Sequence, residues 1–239
     1  MKAITEKLLR FLELVNVSGA VDIKECIIEG NKTLAKVYAK TPSNTFALKA
    51  TIKGDYSDLE TIGINDLILL RKVIALNKTS KETEIAKKEN AIVCKSKGTK
   101  TRLILRNPKY ILTALEEKTY EEKRKALLGN LFTLKKKDIN KLSDFYDVMK
   151  GKIDISGKDN EITFKIGKDE NISEIVIEVE EKVESFKTSI AGFFIETLKQ
   201  INLDATVNAK TDLPIIVNAK DDDIDIEYLF APLKRSEEE

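Results

Sequence analysis

The chain predicts an α+β fold of two similar halves, in each of which two helices pack on one face of an antiparallel sheet. Three observations carry this expectation. Helix-period and strand-period segments follow one another in the order helix, strands, helix, strands, and that order recurs once along the 239 residues. Each half holds too few helices to cover both faces of a sheet, so the helices belong together on one face. With 42% hydrophobic and 34% charged residues, the chain can fill two small cores and still present a large solvated surface. No close residue identity links the halves, so the duplication is one of pattern, and two unrelated α+β domains remain the alternative.

The first helix rests on Ile4, Leu8, Phe11, Leu12 and Val15 at helical spacing, with Lys7, Arg10 and Glu13 between them, and stops at Asn16-Val17-Ser18-Gly19. From residue 20 to 52 short alternating runs are broken at Glu29-Gly30-Asn31, Thr41-Pro42-Ser43 and Lys53-Gly54-Asp55, which reads as hairpin strands. A second helix opens near Asn65, a good N-cap, and runs through Leu67, Leu70, Val73 and Ile74 to about Lys78. Strands follow at 84–87, 91–95 and 101–105. Asn107-Pro108 and the dense charges from Glu116 to Lys125 then read as a solvated linker. In the second half a strand at 131–134 precedes a helix at 138–150, with Ile139, Leu142, Phe145 and Met149 on one face. Strands at 152–156, 161–166 and 174–183, a helix over about 189–201, and strands at 205–209, 213–219 and 224–230 complete the chain.

Composition narrows the chemistry. Histidine and tryptophan are absent, which removes the commonest general base and the commonest metal ligand. Cys26 and Cys94 stand in no metal spacing and cannot build a disulfide framework; they read as buried, inert thiols in a reduced cytosolic protein. No apolar run suggests a membrane span or a signal peptide. Lys plus Arg number 41 and Asp plus Glu 40, so a nucleic-acid partner cannot be inferred from net charge. Asp221-Asp222-Asp223-Ile224-Asp225 lacks the glycine and terminal glutamate of a calcium loop and reads as a solvated hairpin. Gly30-Asn31-Lys32-Thr33 lacks the earlier glycine of a phosphate loop and reads as a turn. No catalytic set emerges and no cofactor is expected, although a nuclease built from carboxylates and lysine stays chemically open.

The carboxyl end is the most specific segment. Thr211-Asp212-Leu213-Pro214-Ile215-Ile216-Val217, an acidic turn, Tyr228-Leu229-Phe230-Ala231-Pro232-Leu233-Lys234 and the tail Glu237-Glu238-Glu239 resemble the end of a sliding clamp of the proliferating-cell-nuclear-antigen type. Phe193-Phe194 and Leu198 extend the resemblance backward, and the helix-first start with the 62–76 segment is similar to the clamps of tailed phages. The resemblance implies a DNA clamp fold with a first domain at 1–105, a connector at 106–127 and a second domain at 128–239. It further implies a homotrimeric ring around double-stranded DNA that tethers a DNA polymerase and other clamp-binding proteins and is loaded by a separate clamp loader.

The expected sites follow from that resemblance. Lys7 and Arg10 on the first helix, Arg71, Lys72 and Lys78 on the second, Lys137 and Lys141 on the third, and Lys187 and Lys199 around the fourth would line the hole. Phosphates there should be tolerated but not gripped. The plain alternative is that these lysines only solvate helix surfaces. A partner-peptide pocket is expected from Pro214, Leu229, Ala231 and Pro232, with Ile111 and Leu112 of the connector as its other wall. Leu229 stands where relatives often have tyrosine, so this pocket should be more apolar. Ring closure would pair the strand bearing Arg102, Ile104 and Arg106 with the one bearing Glu174, Val176 and Glu178. A processivity factor that holds DNA by charge alone, without a ring, remains the rival binding function.

Overall fold

The computed structural model describes residues 2–17, 23–77, 83–168 and 170–233, with side chains from residue 5 onward. The first half comprises α1 (Lys2–Val15), β1 (Cys26–Gly30), β2 (Leu34–Lys40), β3 (Phe46–Lys53), β4 (Thr61–Ile64), α2 (Leu67–Asn77), β5 (Glu84–Lys88), β6 (Ala91–Ser96) and β7 (Thr99–Ile104). A 3-10 turn at Pro108–Tyr110 and α3 (Glu117–Lys125) form the connection. The second half comprises β8 (Asn130–Leu134), α4 (Lys136–Met149), β9 (Lys152–Lys168), β10 (Asn171–Ile190), α5 (Phe193–Ile201), β11 (Ala205–Ala209), β12 (Ile215–Lys220) and β13 (Ile224–Phe230).

The halves are joined by backbone pairing. An eight-stranded sheet runs in the order β4-β1-β2-β3-β13-β12-β11-β8, so the last strand of the chain pairs antiparallel with β3 from Ile224 opposite Ile52 to Phe230 opposite Phe46. Two smaller sheets, β5-β6-β7 and β9-β10, complete the architecture. The apolar stripes of the helices, among them Leu8, Phe11 and Leu12 of α1 and Phe194, Leu198 and Ile201 of α5, are buried in one core that runs through both halves. At the seam the Tyr228 hydroxyl donates to the Leu14 carbonyl at 2.8 Å, and Phe46, Phe193, Phe194 and Phe230 meet edge-on or tilted.

Alternation along β13 decides what each face receives. Ile226, Tyr228 and Phe230 join that core, whereas Glu227 and Leu229 point to the opposite face, where Tyr38, Tyr120, Ile216 and Leu229 form a small second cluster.

The structure departs from the sequence reading at several elements. The charge run from Glu116 is not a solvated linker; it forms α3, and Tyr120 within it is fully buried. The helix cap is Asp66 and not Asn65, since the Asp66 Oδ1 accepts the Leu69 N–H at 2.8 Å. On α4 the buried positions are Ile139, Leu142, Ser143 and Tyr146; Phe145 is 41% exposed, because a 3.6-residue period carries the face one position past it. The strands expected at 152–156 and 161–166 are one strand, β9, and β10 extends through Ser189 and Ile190, where the sequence pattern predicts the start of a helix. Turn-like residues around Asp159 are absorbed at a bulge, where the Asn160 amide donates to the carbonyls of Val179, Glu180 and Glu181. The four-residue β4, absent from the sequence reading, is too short to show a periodicity.

Candidate functional site

The helix face presents fewer unpaired cations than the sequence suggests. Lys7 lies 2.6 Å from Asp223, which ties α1 to the β12–β13 turn. Arg10 donates to the Ile201 carbonyl at 2.5 Å, satisfying a carbonyl at the end of α5 and joining the two halves. Arg71 donates to the Asn16 side chain at 2.5 Å and sits 4.0 Å from Glu13. Lys199 pairs with Asp147 at 2.9 Å; the hydrogen bond from Lys199, reinforced by Lys150, holds the Asp147 carboxyl below its ordinary range. Lys72, Lys137 and Lys141 are exposed and make no ion pair among the described residues. Lys187 is not on a helix: it lies on β10 opposite Ser156, and its carbonyl accepts the Asp212 N–H at 3.2 Å. Phe186 and Thr188 turn inward there, which leaves Lys187 outward on the sheet. Lys78 lies outside the described residues.

The two strands assigned to ring closure are edges. Among the described residues β7 pairs only with β6, and the first part of β10 only with β9. Leu105 directs its N–H to Asn90 and Arg106 directs its own the other way to Gly63, so the Ile104 N–H points outward from the β6–β7 pair. Gly63 permits this approach, since an added Cβ would overlap the Arg106 carbonyl. Arg102, Ile104 and Arg106 occupy the exposed face, with Ile104 57% accessible. Glu174, Val176 and Glu178 occupy the exposed face of β10, and Val176 is 46% accessible. Three of the four charged members have partners within the chain: Arg102 with Glu89, Arg106 with Glu25 and Glu174 with Lys165.

A cavity of about 320 Å³ opens between the outer face of the large sheet and the connector. Pro214, Leu229 and Ala231 line it as expected, and Phe46 and Ala47 of β3 complete the sheet side. The other wall differs from the expectation. Within the connector Ile111 is buried and Leu112 is 80% exposed, and neither lines the cavity, nor does Pro232. Leu115, Ala126 and Leu127 supply the wall instead, because α3 folds the connector back against the sheet. Lys40, Asn44 and Lys123 are its polar members.

The connector is held in three ways. Ala114 bridges to Ala39, and Leu115 donates to the Tyr38 carbonyl, so its first part extends β2 laterally. Tyr120 packs edge-on against Tyr38 with ring centroids 5.6 Å apart. Its hydroxyl and the Arg124 Nε converge on the Glu227 carboxylate, the guanidinium at 2.8 and 2.9 Å and the phenol at 3.1 Å. Burial, together with Glu227, pushes the Tyr120 hydroxyl far above its ordinary pKa, so it remains a donor. Outer pairs Lys49–Glu121 at 2.7 Å and Lys36–Glu117 at 3.0 Å flank this network. Sequence spacing could have revealed α3 through Glu121–Arg124 and Glu121–Lys125, three and four apart, but nothing local marks Glu227 as the distant partner.

The remaining candidates are structural. Asp221 closes its hairpin turn by accepting the N–H groups of Asp223 and Ile224. Asn31 does the same for Thr33 and Leu34. Among the described residues no three carboxylate or cysteine side chains gather as a metal site. Burial pushes the Cys26 thiol up to about 12 and Cys94 up to about 11, which leaves neither nucleophilic near neutral pH.

No family model and no curated protein matches the sequence. Solved structures do. Proliferating cell nuclear antigen from Entamoeba histolytica superposes with a TM-score of 0.74 at 16% identity, over 96% of each chain. A structure of A. fulgidus PCNA with the C-terminal region of FEN-1 bound gives 0.72 at 14%, covering 99% of this chain and 97% of that one. PCNA from Thermococcus kodakaraensis gives 0.71 at 14%, covering 98% and 97%. The chain therefore has the fold of the PCNA sliding clamps over nearly its whole length.

Proposed function

We propose that the protein is a sliding clamp: a non-catalytic ring subunit that encircles duplex DNA and tethers a DNA polymerase and other replication proteins to it. Residues 1–105 and 128–239 are its two clamp domains and 106–127 its connector. Three copies close the ring through β7 of one subunit and the first part of β10 of the next. The helices face the DNA, and the cavity beside the connector receives a short peptide of each partner. A separate loader opens the ring, and the protein uses no cofactor. The reading places it in the cytoplasm; among the described residues no helix is long and apolar enough to cross a membrane.

The observation that carries this reading is the clamp fold extending over nearly the whole of both chains in each superposition. Ion pairing on the helix face speaks against the rival that grips DNA by charge alone, since Lys7, Arg71 and Lys199 already have carboxylate neighbours. Solution mass across a concentration series tests the ring: three chains of 26.9 kDa should give a particle of about 80 kDa. Retention on DNA tests the topology. A ring stays on a closed circle at high salt and leaves when the circle is cut, whereas a charge-held protein leaves both with rising salt. Monomers at every concentration, together with identical salt release from circular and linear DNA, would refute the proposal.

A further inference from the structure

We infer that the cavity beside the connector selects peptides whose apolar anchor is flanked by carboxylates. This deepens the proposed docking role and rests on reading that cavity as the docking site. The asymmetry of charge around it carries the inference. Both ionisable residues among its lining are lysines, Lys40 at the end of β2 and Lys123 on α3, and they approach from different walls. Lys123 is exposed and has no ion pair among the described residues. Lys40 donates to the Asn44 side chain at 2.8 Å, a neutral acceptor that leaves its charge uncompensated and its other N–H groups available.

The nearby anions are placed otherwise. Glu117 is taken by Lys36, Glu121 by Lys49 and Glu227 by Arg124, and none of these carboxylates lines the cavity. Of the connector's four carboxylates, Glu117 and Glu121 anchor it to the sheet, and the exposed Glu116 and Glu122 lie outside the cavity lining, which leaves a cationic rim around an apolar floor. A neutral apolar ligand would use the floor alone. One that also carries Asp or Glu on each side of its anchor, or a terminal carboxylate on one side, would answer both features. A basic flank would meet repulsion from two walls.

The test uses the full chain and three fluorescent decapeptides that share one Leu and Phe core and differ only in flanks of Glu, Ser or Lys. At about 50 mM salt the Glu-flanked peptide should bind about fivefold more tightly than the Ser-flanked one, as two partly exposed ion pairs allow, and the Lys-flanked one should bind most weakly. The spread should contract at about 500 mM salt. Lys40→Glu with Lys123→Glu should reverse the order, and Lys40→Ala with Lys123→Ala should bring the three affinities within about twofold. Equal binding of all three peptides, or an order unchanged in both double variants, would overturn the charge preference while leaving the docking site standing. Binding of none would overturn both. The solution mass of the ring is independent of either result.

Discussion

Arg124→Ala tests how the cavity wall is held, and its effect can be worked from the geometry. The Glu227 side chain is 7% exposed and its main partner is the Arg124 guanidinium, itself 35% exposed. Removing that cation leaves a buried carboxylate with Tyr120 as its remaining donor, an arrangement that costs about 3–5 kcal/mol if nothing moves. The molecule has a second response, which is to release α3 and let water reach Glu227. Release forfeits burial of the Tyr120 ring, about 2 kcal/mol, and two exposed ion pairs worth at most about 1 kcal/mol each. Both routes come to a similar cost, so the variant should lose about 2–4 kcal/mol of overall stability and hold α3 open in a large fraction of molecules. A nine-residue helix does not persist alone once released. Native-state hydrogen exchange should therefore show amides of 117–125 nearly unprotected, while those of β12 and β13 keep most of their protection. Peptide affinity should fall with it, because Ala126 and Leu127 leave the cavity. Adding Glu227→Gln should recover part of the stability, and the double-mutant cycle should return a coupling of about 1–3 kcal/mol. Unchanged exchange in 117–125 would refute the reasoning and place the hold on the 111–115 stretch instead.

Ile104→Pro removes an outward N–H without breaking the β6–β7 ladder, so sedimentation should show monomers with native circular dichroism; a trimer at low micromolar concentration would remove β7 from the interface. Replacing Lys137 and Lys141 by alanine should lower the salt slope of DNA binding by about one per lost phosphate contact, whereas an unchanged slope would mean that they face bulk solvent. Ala231→Trp should fill the cavity and abolish peptide binding while leaving the solution mass unchanged; native peptide affinity would place docking elsewhere. The Cys26 thiol, raised from an ordinary value of 9.0 to about 12, binds its proton more tightly folded than unfolded. Its contribution to stability is complete below about pH 9 and declines toward pH 12 by about 1.4 kcal/mol per unit, so Cys26→Ala should flatten the alkaline limb of a denaturation series.

The order of elements was legible because burial imposes a period. Leu8, Phe11, Leu12 and Val15 mark α1, and alternation marks the strands of the large sheet, since both follow from one apolar side facing one core. Local rules failed where a distant partner decides. The run around Tyr120 is almost wholly polar, and it becomes a docked helix only because Tyr38, Lys49 and Glu227 wait on the sheet. The same fact moved the cavity wall from Ile111 and Leu112 to Leu115, Ala126 and Leu127. Long β9 and β10 were read as broken because turn residues near Asp159 signal a chain reversal, whereas Asn160 bridges the bulge across the pair. Lys7, Arg71 and Lys199 stand on helices as expected, but their pairing with Asp223, Glu13 and Asp147 joins residues far apart in the chain.

That pairing bears on how a clamp of this composition would slide. Where α1, α2, α4 and α5 converge, an open cavity of about 490 Å³ is lined by Glu13, Arg71, Asp147, Glu196, Lys199 and Gln200, so cations and carboxylates alternate. A phosphate approaching Arg71 or Lys199 must compete with a carboxylate that moves with the protein, and it also meets Glu196. The net attraction at each step along the duplex is thereby reduced, and with it the barrier between neighbouring registers. Lys72, Lys137 and Lys141 have no such competitor among the described residues and would supply the remaining, sequence-independent attraction. A ring held by its own closure needs no more than this, because topology prevents escape and every additional strong phosphate contact would only slow translation. A protein holding DNA by charge alone would need the opposite arrangement, with Arg71 and Lys199 left unpaired.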